Sequence, residues 1–401
     1  MRRAALPSRD TREKGSFVLY YALIWMSSSI VGPYLGAYYV DMGFPVFQIG
    51  LLSSVGAVVC LLIQPLWGIA SDRSRHPLRL LRAVFLLVGG LVLLFLLGRQ
   101  YWHFILISVI YSTCSSAVMP LSDAYTLRFL SSRGLKFAHI RLAGTLGYAF
   151  SVFVLGRILG GQELTIIFLI GGGMNVLCAA STWLLPRLET AQPQKAGKPA
   201  GRPGSGLRSV LDRELVLVLF FALVMQTALG FHGTFLSVYV KELGCENSVI
   251  GVLQCASALS EVPVLLLIDR ILRKWNVFRI LSTAGGVMVL RMLLDSLAGV
   301  GGLPVLMASQ LLQGVTYMSL SYCTILYMSR KMPPHMKTTG QSLLQGVQGG
   351  LGSILANTGG GALGSLLGIQ RAYLAVAALL FCATAVFLFG TRQKLKASGE
   401  A

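Results

Sequence analysis

Charge is what this sequence has least of. Only 12% of its 401 residues are Asp, Glu, Lys or Arg, against 54% hydrophobic. A water-soluble domain carries about twice that share of charge, so a soluble enzyme or soluble binding module is excluded. The five histidines are scattered, and neither His-Glu-x-x-His nor Gly-x-Ser-x-Gly occurs. The clustered groups that a zinc hydrolase or a serine nucleophile needs are therefore missing, and no enzyme is expected. No phosphate-cradling glycine loop is present, which excludes ATP-driven work on this chain. The seven cysteines (Cys60, Cys114, Cys178, Cys245, Cys255, Cys323, Cys382) show no paired or metal-type spacing. Neither a disulfide framework nor a metal site is expected, nor any cofactor.

Long apolar runs are what is present instead. Twelve stretches reach the roughly 18 residues that cross a bilayer core. They lie near 16–40, 46–70, 79–98, 101–126, 138–160, 163–186, 214–240, 247–269, 277–298, 303–328, 338–365 and 370–391. The first lacks a small-residue cleavage site and precedes eleven more, so it reads as a span rather than a signal peptide. The formal charge of +19 would suggest a nucleic-acid partner in a soluble chain. Its placement gives another reading. Lys and Arg gather in the N-terminal tail, in the loops at Arg73–Arg82, Arg128–Arg141 and Arg270–Arg279, in the centre and in the C-terminal tail. Arg99, Arg157, Lys241 and Arg371 fall on the opposite face, and Arg291 falls inside a span. The positive-inside rule then places both termini in the cytoplasm of a multi-pass protein of the plasma membrane, with lipid and not nucleic acid as its surroundings.

The organisation is twofold. "PRLETAQPQKAGKPAGRPGSGLRSVLDRE" (Pro186–Glu214) is rich in Pro, Gly and Lys and reads as a flexible linker. Expected boundaries are an N-terminal tail at 1–15, a six-helix bundle at 16–186, a linker at 187–213, a second bundle at 214–391 and a tail at 392–401. The halves echo each other: Gly43 precedes an Ile-Gly pair at Gly50, and Gly244 precedes one at Gly251. Second spans end at Asp72-Arg73 and Asp269-Arg270. Duplicated six-helix halves are a common transporter architecture with a mid-membrane site between the repeats.

"GIASDRSRHPLRLLR" (Gly68–Arg82) resembles the Gly-x-x-x-Asp-Arg signature of the major facilitator superfamily, and "LIDRILRKW" (Leu267–Trp275) resembles its weaker echo. Pro120, Asp123, Arg141 and Gly144, with Glu261 and Arg291, resemble the branch containing lactose permease and the phenylpropionate and nucleoside proton symporters. The resemblance implies an all-α membrane protein of twelve helices in two pseudo-symmetric bundles. It implies alternating-access transport of a sugar, nucleoside or aromatic acid, driven by a proton gradient and carried out by a monomer. Span 10 contains neither His nor carboxylate, so the sugar–proton relay of lactose permease does not carry over. "VLGRILGG" (Val154–Gly161) lacks the Pro of the antiporter signature, which leans to symport. An efflux antiporter, a receptor that has lost transport and a membrane-embedded enzyme are the alternatives.

Geometry selects the candidate residues. Asp123 and Arg141 lie nine residues on either side of the expected turn, hence about 9 Å deep at matching levels. Ionised groups at such depth face the bundle interior and pair. Glu261 is deeper, roughly 12 Å, and is the first candidate for a proton site. Arg291 is its expected partner, although Asp295, four residues on, offers Arg291 another. His232 lies within span 7 and suits proton work or a structural hydrogen bond equally. Tyr34, Tyr38, Tyr239, Gln313 and Tyr317 are candidates for lining a solute cavity. Asp72, Arg73, Asp269 and Arg270 are candidates for a conformational gate. The glycine-rich span 11 (Gly346–Gly368) suits close helix approach and sliding.

Overall fold

Backbone groups inside a bilayer must find their partners within the chain, which helices do locally. The computed structural model describes residues 9–74, 76–133, 138–160, 162–186, 212–333 and 336–392, with side chains for these apart from 9–12, 71–73, 131–133, 138–139, 269 and 338. Among the described residues no strand occurs. The first three spans are α1 (Arg9–Asp41), α2 (Val46–Arg73) and α3 (Pro77–Leu93). The fourth is divided into α4 (Tyr101–Ser115) and α5 (Val118–Arg133), just ahead of Pro120, whose missing N–H and ring disfavour an unbroken helix there. The first six are completed by α6 (Ala138–Leu159) and α7 (Ile166–Ser181). The second six comprise α8 (Arg213–Glu242), α9 (Asn247–Lys274), α10 (Val277–Leu311), α11 (Gln313–Lys331), α12 (Lys337–Gln345), α13 (Gly360–Leu367) and α14 (Ile369–Gly390).

Among the described residues, nine stretches are long and apolar enough to cross a membrane. One of these, Val277–Lys331, supplies two spans, because the backbone breaks at Gly302 (φ 65°, ψ −156°) inside α10. The hydrogen bond from Ser309 to Asp295, 14 residues apart, at 2.5 Å requires a reversal. An unbroken helix would separate them by about 21 Å. The 16-residue α7 and the more polar run from α12 to α13 complete twelve spans. That run is not one regular α-helix: π turns occupy Gly346–Gly352 and Leu355–Gly359. Glycine offers no side-chain packing to hold an α register. Neighbours press directly on the backbone here, Leu61 on Gly350, Gln226 on Gly352 and Phe231 on Gly360.

The halves meet along α1 with α8, α6 with α9, and α2 with the π turns and α13. The repeated glycines have repeated work there. Gly43 and Gly244 take φ of 79° and 71° in the turns after α1 and α8, a conformation that side chains resist. Gly50 and Gly251 lie where the halves cross. A Cβ on Gly251 would stand 2.6 Å from the Val152 carbonyl and 2.8 Å from Gly156 Cα, and one on Gly50 would collide with the Asn357 backbone. Ser54 and Thr358 hydrogen-bond across the same end at 2.6 Å, and Lys241 pairs with Asp41 at 2.8 Å. The joining contacts therefore concentrate at the end of the bundle that carries the Gly43 and Gly244 turns. At the other end, Arg270 is exposed, while the side chains of Asp72, Arg73 and Asp269 lie outside the described residues. Residues 1–8, 393–401 and most of the 187–213 linker lie outside them too, and α1 begins inside the expected N-terminal tail; Asp212 caps α8 by accepting from the Leu215 N–H at 2.8 Å.

Candidate functional site

Inside the second six helices, the reversal at Gly302 folds the end of α10 and the start of α11, each with a buried or half-buried amide, back against the part of α10 that precedes the break. Gln310 is fully buried and Gln313 lies one turn further, so both amides reach the Arg291 guanidinium. Arg291 Nη2 donates to Gln310 Oε1 at 3.2 Å, and Nη1 donates to Gln313 Oε1. Arg291 is 1% exposed, so these are charge-assisted bonds in a dry environment. The Gln313 amide also lies within reach of the Glu261 carboxylate. Arg291 and Glu261, expected to meet, are thus joined through an intervening glutamine.

Asp295, the other partner offered to Arg291, does act on it electrostatically, while its immediate contacts are with other residues. It is fully buried, accepts from Ser309, and stands 2.9 Å from His232 Nδ1. His232 belongs to α8, whose apolar face buries it beside Tyr373 of α14, 3.4 Å from Nδ1. On its other side Nε2 lies 3.2 Å from Gln310 Oε1. Ser257 of α9 donates to that same oxygen at 2.6 Å. Gln310 is the junction of the cluster, and it is absent from the sequence-derived candidates. The available signal was the i, i+3 amide pair Gln310–Gln313 in an apolar span, which places both on one helix face.

The first six helices are built more loosely. Tyr21 of α1 donates to Asp123 Oδ1 at 2.5 Å. Arg141 lies on the face of Trp25, 4.5 Å from its centroid, a cation–π contact. A side chain at Gly144 would collide with that indole, which explains the small residue one turn after Arg141. Asp123 and Arg141 influence each other electrostatically, but each has a different immediate partner. Arg141 and Arg291 both act electrostatically on Glu261. Tyr148 of α6 adds a bond to Gln254 of α9 at 3.4 Å. A polar line therefore crosses from one half to the other: Asp123, Arg141, Glu261, Gln313, Arg291.

The aromatic candidates divide. Tyr34 is buried at the crossing of the halves and donates to the Val152 carbonyl at 3.1 Å, close to Gly251. Tyr38 donates to the Phe95 carbonyl and stacks edge-on with Phe104 and Phe168, inside the packing of the first six helices. Tyr239 is buried against Tyr373. Tyr317 is partly buried, packed against the core.

Twelve spans, two halves touching at one end and charges meeting between them are the build of a membrane transporter rather than an enzyme. Residues 11–375 match the MFS_1 like family, and the chain belongs to it, within the major facilitator superfamily. It is 27% identical over 394 residues to a maltose permease of Geobacillus stearothermophilus, covering 96% of this chain and 97% of the relative. Its fold is similar to a solved mutant form of the nucleoside transporter NupG, with a TM-score of 0.84, 16% identity and coverage of 94% and 99%. It is also similar to a bacterial homologue of the lysosomal transporter Spinster in an inward-facing and unoccupied conformation, with a TM-score of 0.72, 13% identity and coverage of 97% and 99%.

Proposed function

We propose that this transporter is a proton symporter of a small neutral polyhydroxylated solute, a sugar or nucleoside, working by alternating access. The observation that carries the reading is the polar line between the halves, with Glu261 of one half under the electrostatic influence of Arg141 of the other. In a membrane interior an unpaired charge is costly, so the attraction across this line depends on the proton occupancy of Glu261. A protonated Glu261 no longer pulls on Arg141, and the solute hydroxyls take over as partners of the arginines and amides. Release of the solute lets the proton leave and the attraction return. Acids and bases balance here, with Asp123, Glu261 and Asp295 set against Arg141, Arg291 and His232, so the site favours a neutral solute over an aromatic acid. Trp25, already stacked under Arg141, offers a face for a sugar or base ring. The names of the maltose permease and of NupG point to the same classes. The plasma membrane, with both termini in the cytoplasm, fits the distribution of basic residues, and the chain acts as a monomer in this reading.

The test begins with a thermal-shift screen of the purified protein against sugars, nucleosides and aromatic acids, followed by pH-gradient uptake in liposomes for any hit. Glu261→Gln should abolish proton-driven uptake and retain exchange of pre-loaded solute. Uptake by that variant with the wild-type pH dependence would remove Glu261 from the coupling. Accumulation driven by the opposite proton gradient would make the chain an efflux antiporter.

A further inference from the structure

We infer that His232 and Asp295 form a second proton-binding site, and that Gln310 transmits its occupancy to Arg291; this rests on the reading that Arg291 belongs to the coupling site. Both ring nitrogens of His232 face oxygen acceptors: the Asp295 carboxylate at 2.9 Å on Nδ1, and Gln310 Oε1 at 3.2 Å on Nε2. A neutral imidazole has one N–H, and only the imidazolium donates on both sides. Turning the amide to suit a neutral ring breaks bonds that it already makes. Its oxygen is held by donors from Arg291 at 3.2 Å and Ser257 at 2.6 Å, and its nitrogen donates to Ser309 at 2.9 Å. Ser309 in turn donates to Asp295. The cluster is buried, and the imidazolium gives each ring nitrogen an oxygen to face, while Arg291 Nε has no hydrogen-bond partner.

Loss of the Nε2 proton to solvent breaks this arrangement at one place. The nitrogen lone pair then opposes Gln310 Oε1, while Nδ1–H stays on Asp295. Rotation of the amide presents its N–H to Nε2 and withdraws its oxygen from Arg291 and Ser257. Arg291 is left with Gln313, and its charge falls more fully on Glu261. The ionisable groups around His232 are Asp295 and Arg291 from α10, Tyr373 from α14, and Tyr239 and Glu242 along α8 itself. From α9 come Ser257 and, beyond Arg291, Glu261; α1 brings Asp41, paired to Lys241 at the end of α8.

The experiment uses the full chain in nanodiscs between about pH 5 and 8, where histidines titrate. Two quantities are read, the Kd of a screened solute and the unfolding midpoint without solute. One coupled proton changes Kd by at most about tenfold per pH unit. Glu261→Gln should retain an inflection in Kd, and adding His232→Gln should remove it. A His232→Gln profile superimposed on wild type, or a profile flattened by Glu261→Gln alone, overturns the inference. If His232→Gln does not fold, Gln310→Met decides: loss of the Kd inflection with the step in the unfolding midpoint retained supports the relay, and an unchanged inflection overturns it. If no solute binds, the proposed function fails by itself. The solute-free midpoint then decides for the proton site, with a step between pH 5 and 8 present in wild type and absent in His232→Gln as support, and superimposed profiles as refutation.

Discussion

The two halves each carry an acid and an arginine on neighbouring spans, yet they treat them differently. In the second half Arg291 is 1% exposed and tied to two glutamines, while Asp295 is tied to a histidine and a serine. In the first half Asp123 has a tyrosine, and Arg141 rests on an indole that, among the described residues, leaves its donors uncommitted. One half holds a dense network of hydrogen bonds; the other holds charges with capacity to spare. The sequence spacing that suggested two equivalent pairs does not reveal this asymmetry, because partners are set by which neutral residues surround them. An arginine with unspent donors is the one able to exchange partners during a transport cycle.

The largest effect is expected from breaking the dense network. Arg291→Met should destabilise by about 3–5 kcal/mol, since it leaves buried partners uncompensated, whereas Arg141→Met should cost under about 1 kcal/mol in the thermal unfolding of the same preparation. Equal losses would erase the contrast between the halves. Next comes the support of Arg141. Gly144→Leu displaces the Trp25 indole and should lower uptake by about tenfold or more while the protein still folds, which binding and unfolding measured together will separate. Gly251→Val introduces branches where the backbones of α6 and α9 touch. It should reduce the yield of a disulfide between Asp41→Cys and Lys241→Cys, and an undiminished yield would mean that the crossing tolerates bulk. The smallest effect concerns Asp212, where the hydrogen bond from Lys331 holds the carboxyl below its usual value. Its contribution is present above the unfolded carboxyl value of about 3.9 and is lost as pH falls through the lower folded value. For so exposed a pair that contribution is no more than about 1 kcal/mol, and Asp212→Asn should flatten the acid side of the unfolding profile by that amount.

Span number was legible because it follows from length and hydropathy, which a bilayer reads directly. The repeat of Gly43–Gly50 in Gly244–Gly251 was legible as a pattern, and its cause became visible only with the helices in place: a positive φ at one member, a backbone crossing at the other. Gln310 and the His232–Asp295 contact were not legible. They join residues 78 and 63 positions apart through a chain reversal that a hydropathy window records only as a glycine pair. The π turns were hidden for a related reason. Glycine-rich segments take their helical form from the neighbours that press on them.

The link between Asp41 and Lys241 sits in partly open surroundings, with side chains 39% and 20% accessible. A latch made this way releases at small energetic cost, and dissolved ions loosen it further. Ambient salinity would thus set how often that end of the carrier swings ajar, without touching its interior.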